Sequence, residues 1–166
     1  AEGCSDDAAV VVEMAGGPGS GKTQIAMQLA VNYSLRGLST AFVDADASFS
    51  PNRCESMASG SLGNISVYRP FDELELVSLL HTLQGKHSLV VVDSVASLFR
   101  ACEPSSSKAR LVARTALLLS AIAQKQCVVV VTNQLTTSTD GRKVPALGET
   151  WSHVADHKYL VEKQDS

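Results

Sequence analysis

The chain has 166 residues, 45% of them apolar and 19% charged, with a formal net charge of −3. That length suits one domain with one sizeable core, and the slight acidity excludes a general electrostatic pull toward nucleic acid, so contact with a polyanion needs a local basic patch or a partner. No apolar run is long enough to span a bilayer, and Ala1–Asp7 carries acids without a basic residue, so it does not open a secretory signal.

Taken in chain order, Val10–Met14 predicts a strand. Ile25, Ala26, Leu29, Ala30 and Tyr33 then recur at helical spacing, with Gly37 as a natural stop. Leu38–Asp44 and Asn64–Tyr68 predict two further strands. Leu76, Leu79, Leu80 and Leu83 share one face of a helix that ends near Gly85. Ser88–Asp93 is almost continuously apolar and β-branched, as a strand buried on both faces should be. Leu111, Thr115, Leu118, Leu119 and Ile122 mark another helix, with Ser105–Ser107 supplying caps. Cys127–Thr132 predicts a second fully buried strand and Lys158–Val161 a last one. Ala101–Ser107 and Thr136–Leu147 read as loops, and residues 1–7 and 164–166 as loose ends. Strands alternating with helices imply an α/β fold: a mainly parallel β-sheet with helices on both faces, and ligands beyond the carboxyl ends of the strands.

Four cysteines, Cys4, Cys54, Cys102 and Cys127, are far apart and form no Cys-x-x-Cys pair. They read as unpaired residues in a reducing, intracellular compartment.

The chemistry-bearing motifs fall at the strand ends. Gly16-Gly17-Pro18-Gly19-Ser20-Gly21-Lys22-Thr23 fits G-x-x-x-x-G-K-[ST], follows a strand and opens a helix, so it predicts a site for a nucleoside triphosphate, ATP with Mg2+. Glycines let main-chain N–H groups curl around phosphate oxygens, and the helix N-terminus adds partial positive charge. Lys22 is expected to reach the β- and γ-phosphates and Thr23 to ligate the metal, with Gln24 following in the same motif. Leu89–Asp93 ends a buried strand in a carboxylate suited to hold that metal, often through water, with Ser94 as an aid. Asp44 and Asp46 lie at the end of the second strand, where a carboxylate can activate a water for attack on the γ-phosphate; for Asp44 a polar turn residue is nearly as good a reading. The amide of Gln134, at the end of the fourth buried strand, can bond a γ-phosphate and report its loss to the next loop.

Five motifs then stand in order: GGPGSGKTQ, FVDADASFSPNR, LVVVDSVASLFR, VVTNQ and the Asp140–His153 segment with its PALG-x-x-WSH string. Together, over roughly residues 10–162, they resemble the ATPase core of the RecA/RadA recombinase superfamily, and in particular the eukaryotic recombinase paralogues of homologous recombination. GGPGSGKTQ is most like the D paralogue; DSVAS-x-x-R and ALG-x-TWSH resemble the B paralogue. The resemblance implies a RecA-like P-loop fold, one ATPase domain over 1–166, and a role in DNA repair through homologous recombination with other paralogue subunits. It implies that Arg53 stacks on adenine, that Gln134 senses the γ-phosphate and that His153 sits near a neighbouring subunit's ATP. It also implies that two loops, Ala101–Arg110 with Arg110 and Thr136–Leu147 with Arg142 and Lys143, face single-stranded DNA, and that the protein is nuclear if eukaryotic and otherwise cytoplasmic, with no membrane partner.

Departures from the family pattern shape the expectation of activity. The recombinases carry a glutamate as catalytic base where this chain has Asp46, one methylene shorter. A misplacement of ~1 Å can cost on the order of a hundredfold in rate, so binding with slow, DNA-stimulated hydrolysis is expected. The family's N-terminal helical domain, its Phe-x-x-Ala linker and its C-terminal ATP-capping segment have no match; Phe42 and Ala45 have the Phe-x-x-Ala spacing but read as core of the second strand. His153 and His157 lie four apart, without the third ligand that zinc requires. Trp151 reads as a packing anchor. Two alternatives remain: an interaction module rigidified by ATP without turnover, and a small-molecule phosphoryl-transfer enzyme, for which the sequence offers no lid or acceptor-binding arginine cluster.

Overall fold

Runs of valine decide the architecture, because a strand apolar on both faces is stable only with layers packed on each side. The strands are β1 (Val10–Gly16), β2 (Thr40–Asp44), β3 (Ile65–Tyr68), β4 (Leu89–Asp93), β5 (Val128–Thr137), β6 (Lys143–Pro145) and β7 (His157–Leu160). The helices are α1 (Lys22–Leu35), α2 (Pro51–Met57), α3 (Glu73–Leu83), α4 (Ser97–Arg100), α5 (Ser106–Ala123) and α6 (Gly148–Ser152). The computed structural model describes residues 9–58, 60, 62–100 and 105–163. Cys4, Cys102, the loose-end readings of 1–7 and 164–166, and residues 101–104 of the first predicted loop lie outside the described residues.

One sheet runs in the order β3-β2-β4-β5-β1-β7, parallel throughout, with β6 paired antiparallel to the far part of β5. Alternate residues face opposite layers. Ala41, Val43, Val90, Val92, Val129 and Val131 pack with α3, α5 and Trp151; Phe42, Leu89, Val91 and Val130 pack with α1 and Cys54 of α2. The expected fold, a mainly parallel sheet with helices on both faces, is therefore the observed one. Phe42 is fully buried, in keeping with its reading as core. Cys54 and Cys127 are buried free thiols, and burial pushes the Cys127 thiol up to about 11.

Local chemistry sets the helix limits. Asp72 caps α3 by accepting from the Glu75 N–H at 2.7 Å, while Glu75 accepts in return from the Phe71 N–H at 2.6 Å. Ser105 caps α5 by accepting from the Lys108 N–H at 3.1 Å. Gly37, at φ 75°, takes the chain out of α1 as expected.

Two expectations need correction. The segment Thr136–Leu147 is not an open loop: β5 continues to Thr137, and a turn closed by Ser138 N–H to Arg142 O at 2.9 Å returns the chain as β6. β-Branched Thr136, Thr137 and Val144 extend the ladder, and Gly141 at φ 82° makes the turn. Arg110 is not on the loop that the resemblance implies: α5 starts at Ser106, capped by Ser105 within the expected Ser105–Ser107 stretch, and Arg110 Nε donates to Ser106 O at 3.3 Å. His153 follows α6 and His157 opens β7, so the two histidines lie on different elements.

Candidate nucleotide site

The parallel register lines up the carboxyl ends of four strands. Asp44 is level with Asp93, Val92 with Val131, and Gly16 with Gln134. The residues singled out in four separate motifs therefore meet along one sheet edge.

The phosphate loop leaves β1 at Gly16 and enters α1 at Lys22. Gly19 and Gly21 have φ of 72° and 100°, a left-handed geometry that only glycine adopts without strain. Side chains built at Gly17, Gly19 and Gly21 would meet nothing within 4 Å, so the loop presents bare main chain to a cavity of about 220 Å3 lined by Gly19 through Gln24. Helix α1 has Gly21 at its cap, no capping side chain and no acid in its first turn, whereas α2, α3 and α5 are capped by Ser50, Asp72 and Ser105. Its first N–H groups are thus free for an anion, with the helix dipole behind them. The Lys22 ammonium is buried and donates to Gly16 O and Gly17 O, each at 2.8 Å, and to Ser20 Oγ at 3.2 Å. Burial lowers its pKa, and the charges of Asp93 and Asp46 oppose that shift. Both carboxylates therefore lie within electrostatic reach of the lysine.

Asp93 is buried at the end of β4. Its Oδ1 accepts from the Thr132 hydroxyl and its Oδ2 from Ser48 Oγ at 3.2 Å. Ser94 Oγ is buried beside it with no protein partner. This donor set (an ammonium, the Thr23 hydroxyl, a fixed carboxylate and free main-chain N–H groups) suits a triphosphate carrying a divalent cation. Lys22, Ser20 and the loop N–H groups would hold phosphate, and Thr23 and Asp93 the cation. The cation would neutralise charge on the phosphoryl group in transfer.

The two acids after β2 separate in role. Asp44 is buried and fully engaged: Arg69 Nε donates at 2.9 Å and the Ser48 N–H at 2.8 Å. It is held by a guanidinium on one oxygen and by the turn on the other. Asp44 thus braces the turn that follows β2. Asp46 is exposed on the same turn, within electrostatic reach of Lys22. Arg69, from the far end of β3, and Ser48, which spans Asp44 and Asp93, were not anticipated. Ser48 lies inside the FVDADASFSPNR motif but was given no role there, and Arg69 is 25 residues from its partner.

Gln134 is half-buried beside Gly16, and its Oε1 accepts from Arg100. Arg53 lies exposed on α2, which packs on α1, and His153 lies exposed after α6. Arg142 and Lys143 are exposed on the hairpin; Arg142 pairs with Asp140, whose carboxyl it holds down at about 2, aided by Ser138. Among the described residues, no three His, Cys, Asp or Glu side chains form a cluster able to hold a metal by themselves, and no helix is long and apolar enough to cross a membrane.

Gly16 is the tightest point of the loop. A Cβ there would meet Val161 O at 2.4 Å and Ser20 Oγ at 2.6 Å, and the first of these is backbone held by Val161 N–H to Ala15 O at 2.7 Å. Gly16→Ala should therefore cost about 2–4 kcal/mol in urea unfolding, whereas Gly17→Ala, with open space, should stay within about 1 kcal/mol. Equal midpoints for the two variants would refute the close approach.

Comparison with known proteins agrees with this geometry. The Rad51 family profile matches residues 3–160. The chain is 31% identical over 92% of its length to the mouse DNA repair protein RAD51 homolog 4, spanning 54% of that protein, so it covers about half the length of this relative. It is 32% identical to the DNA repair and recombination protein RadB of Methanothermobacter thermautotrophicus, over 87% of this chain and 70% of that protein. The crystal structure of the RadB recombinase superposes with a TM-score of 0.78 at 27% identity, covering 95% of this chain and 76% of that one. The five ordered motifs, the strand order and these likenesses converge: the chain belongs to the Rad51 family, as a RecA-like ATPase core of the RecA/RadA recombinase superfamily.

Proposed function

We propose that this chain is one ATPase domain that binds Mg·ATP and hydrolyses it slowly, as a recombinase-paralogue module that assists homologous-recombination repair on single-stranded DNA. The observation that supports the reading is the capless start of α1 at the same sheet end as Asp93 and Gln134, with Asp93 and Asp46 within electrostatic reach of Lys22. Lys22, Gln134 and Asp46 form the catalytic set, with Asp46 as base; Thr23 and Asp93 hold magnesium, and residues Gly16–Gln24 hold phosphate. Arg53 would pack on adenine, and His153 would face the nucleotide of a neighbouring paralogue subunit. Arg142 and Lys143 at the hairpin tip, with Arg110 on α5, are the proposed DNA phosphate contacts.

A reading without turnover, in which ATP only stiffens a subunit interface, is favoured by one observation: the carboxylate in the base position is an aspartate on an exposed turn. Phosphate release from Mg·ATP, with and without single-stranded DNA, decides between the two. Turnover of wild type that rises with DNA, and whose DNA response shrinks when Arg142 and Lys143 are both replaced by alanine, is the expected result. No release from a preparation that binds ATP would leave only the stiffening role.

A further inference from the structure

The strand that leads into the phosphate loop carries a carboxylate at its centre. Glu13 lies between Val12 and Met14 on β1 and is only 1% exposed. A buried carboxylate is costly unless its oxygens are bonded. Here Oε1 accepts from Asn133 Nδ2 at 2.7 Å and from Trp151 Nε1 at 2.8 Å. Both donors come from elements other than β1.

Asn133 has no polar atom to spare. Its second Nδ2 hydrogen goes to Ala146 O at 3.0 Å, and its Oδ1 accepts from the main-chain N–H of Gln134 at 2.8 Å. The Gln134 carbonyl in turn accepts from the Ala146 N–H at 2.8 Å. The Gln134 main chain, Ala146 and Trp151 are thus joined through one amide and one carboxylate. Gln134 itself is level with Gly16, the first residue of the phosphate loop. Any displacement of Gln134 by a γ-phosphate must carry Ala146 with it, and α6 follows two residues later.

We propose that Glu13 is a positioning residue for γ-phosphate recognition: by holding Asn133 and Trp151 at once, it fixes the Gln134 backbone against the phosphate loop and locks α6 to it. The inference rests on the nucleotide reading of the site and deepens it. Glu13 touches no substrate; it acts through Asn133. A carboxylate that merely completes the core would affect stability and both nucleotides alike. A positioning role affects ATP, which reaches Gln134, and spares ADP, which does not.

Trp151→Phe removes the indole N–H and keeps most of the buried ring, while Glu13→Gln keeps the acceptor oxygen and removes its charge. Calorimetric titration with Mg·ADP and with a non-hydrolysable Mg·ATP analogue gives the ratio of the two affinities in each protein. In Trp151→Phe the preference for the triphosphate should fall on the order of tenfold, and in Glu13→Gln roughly threefold, with ADP affinity held within about twofold. If Trp151→Phe fails to fold by circular dichroism, the Glu13→Gln ratio decides alone. An unchanged ratio in a folded variant, or equal weakening of both nucleotides, overturns the positioning role while leaving the nucleotide site standing. Wild type that binds neither nucleotide overturns the site reading and this one with it.

Discussion

Lys22→Ala should abolish detectable Mg·ATP binding. The ammonium is buried at the mouth of α1 and now donates to Gly16 O, Gly17 O and Ser20 Oγ. In the nucleotide complex at least two of these donors would turn to phosphate oxygens. Charge-assisted hydrogen bonds contribute roughly 1.5–3 kcal/mol each, so losing two corresponds to about a hundredfold to ten-thousandfold in Kd. Titration of a fluorescent ATP analogue reads this directly. A Kd within a few-fold of wild type would mean that the glycine-rich turn between β1 and α1 binds no triphosphate. Thermal unfolding separates this outcome from collapse, since the alanine variant frees a lysine that is itself costly to bury.

Asp46→Glu should raise the rate of ATP hydrolysis on the order of ten- to a hundredfold, with little change in ATP affinity. The turn that carries Asp46 is fixed at its base. Arg69 clamps Asp44, the Ser48 N–H returns to the same carboxylate, and Ala45 N–H donates to Asp93 O at 2.8 Å. With that base rigid, the turn cannot advance to bring a short carboxylate forward; the side chain must supply the reach, and glutamate adds one methylene. A shift of about 1 Å in a general base is worth roughly the factor stated. Single-turnover phosphate release at saturating ATP isolates this step. If the glutamate variant is no faster, distance at this carboxylate is not what limits the reaction, and the DNA or a partner subunit becomes the place to look.

These two experiments test opposite ends of the site, one for binding and one for chemistry, and the Gly16→Ala and Trp151→Phe variants test the frame between them. The frame joins the parts through buried polar atoms. Asp93 receives Thr132 of β5 and Ser48 of the β2 turn, so the proposed cation ligand is set by two other strands. Glu13 receives Asn133 and Trp151, so the sensor is set by the strand that feeds the phosphate loop. Buried networks of this kind are stable only when every member is satisfied, which makes them sensitive reporters of single substitutions.

The sequence by itself determined the sheet and the phosphate loop. Valine runs at β1, β4 and β5 leave no choice but burial on both faces, and Gly16–Thr23 combines a local backbone requirement with a lysine at fixed spacing, so both are legible from neighbours in the chain. Elements with weak local signals went unseen: α2 is seven residues of mixed polarity, α6 is five, and the β5–β6 hairpin hides in a run of Thr, Ser, Asp and Gly that is equally good as a loop. Only the tertiary structure decided which of Asp44 and Asp46 is held in the frame, because the deciding partner, Arg69, follows a different strand, β3. Only it gave Glu13 a purpose. A glutamate inside an apolar strand signals a buried polar group, but its donors lie 120 and 138 residues away, and no local pattern encodes contacts that the stacking of β1 on β5 and the packing of α6 create.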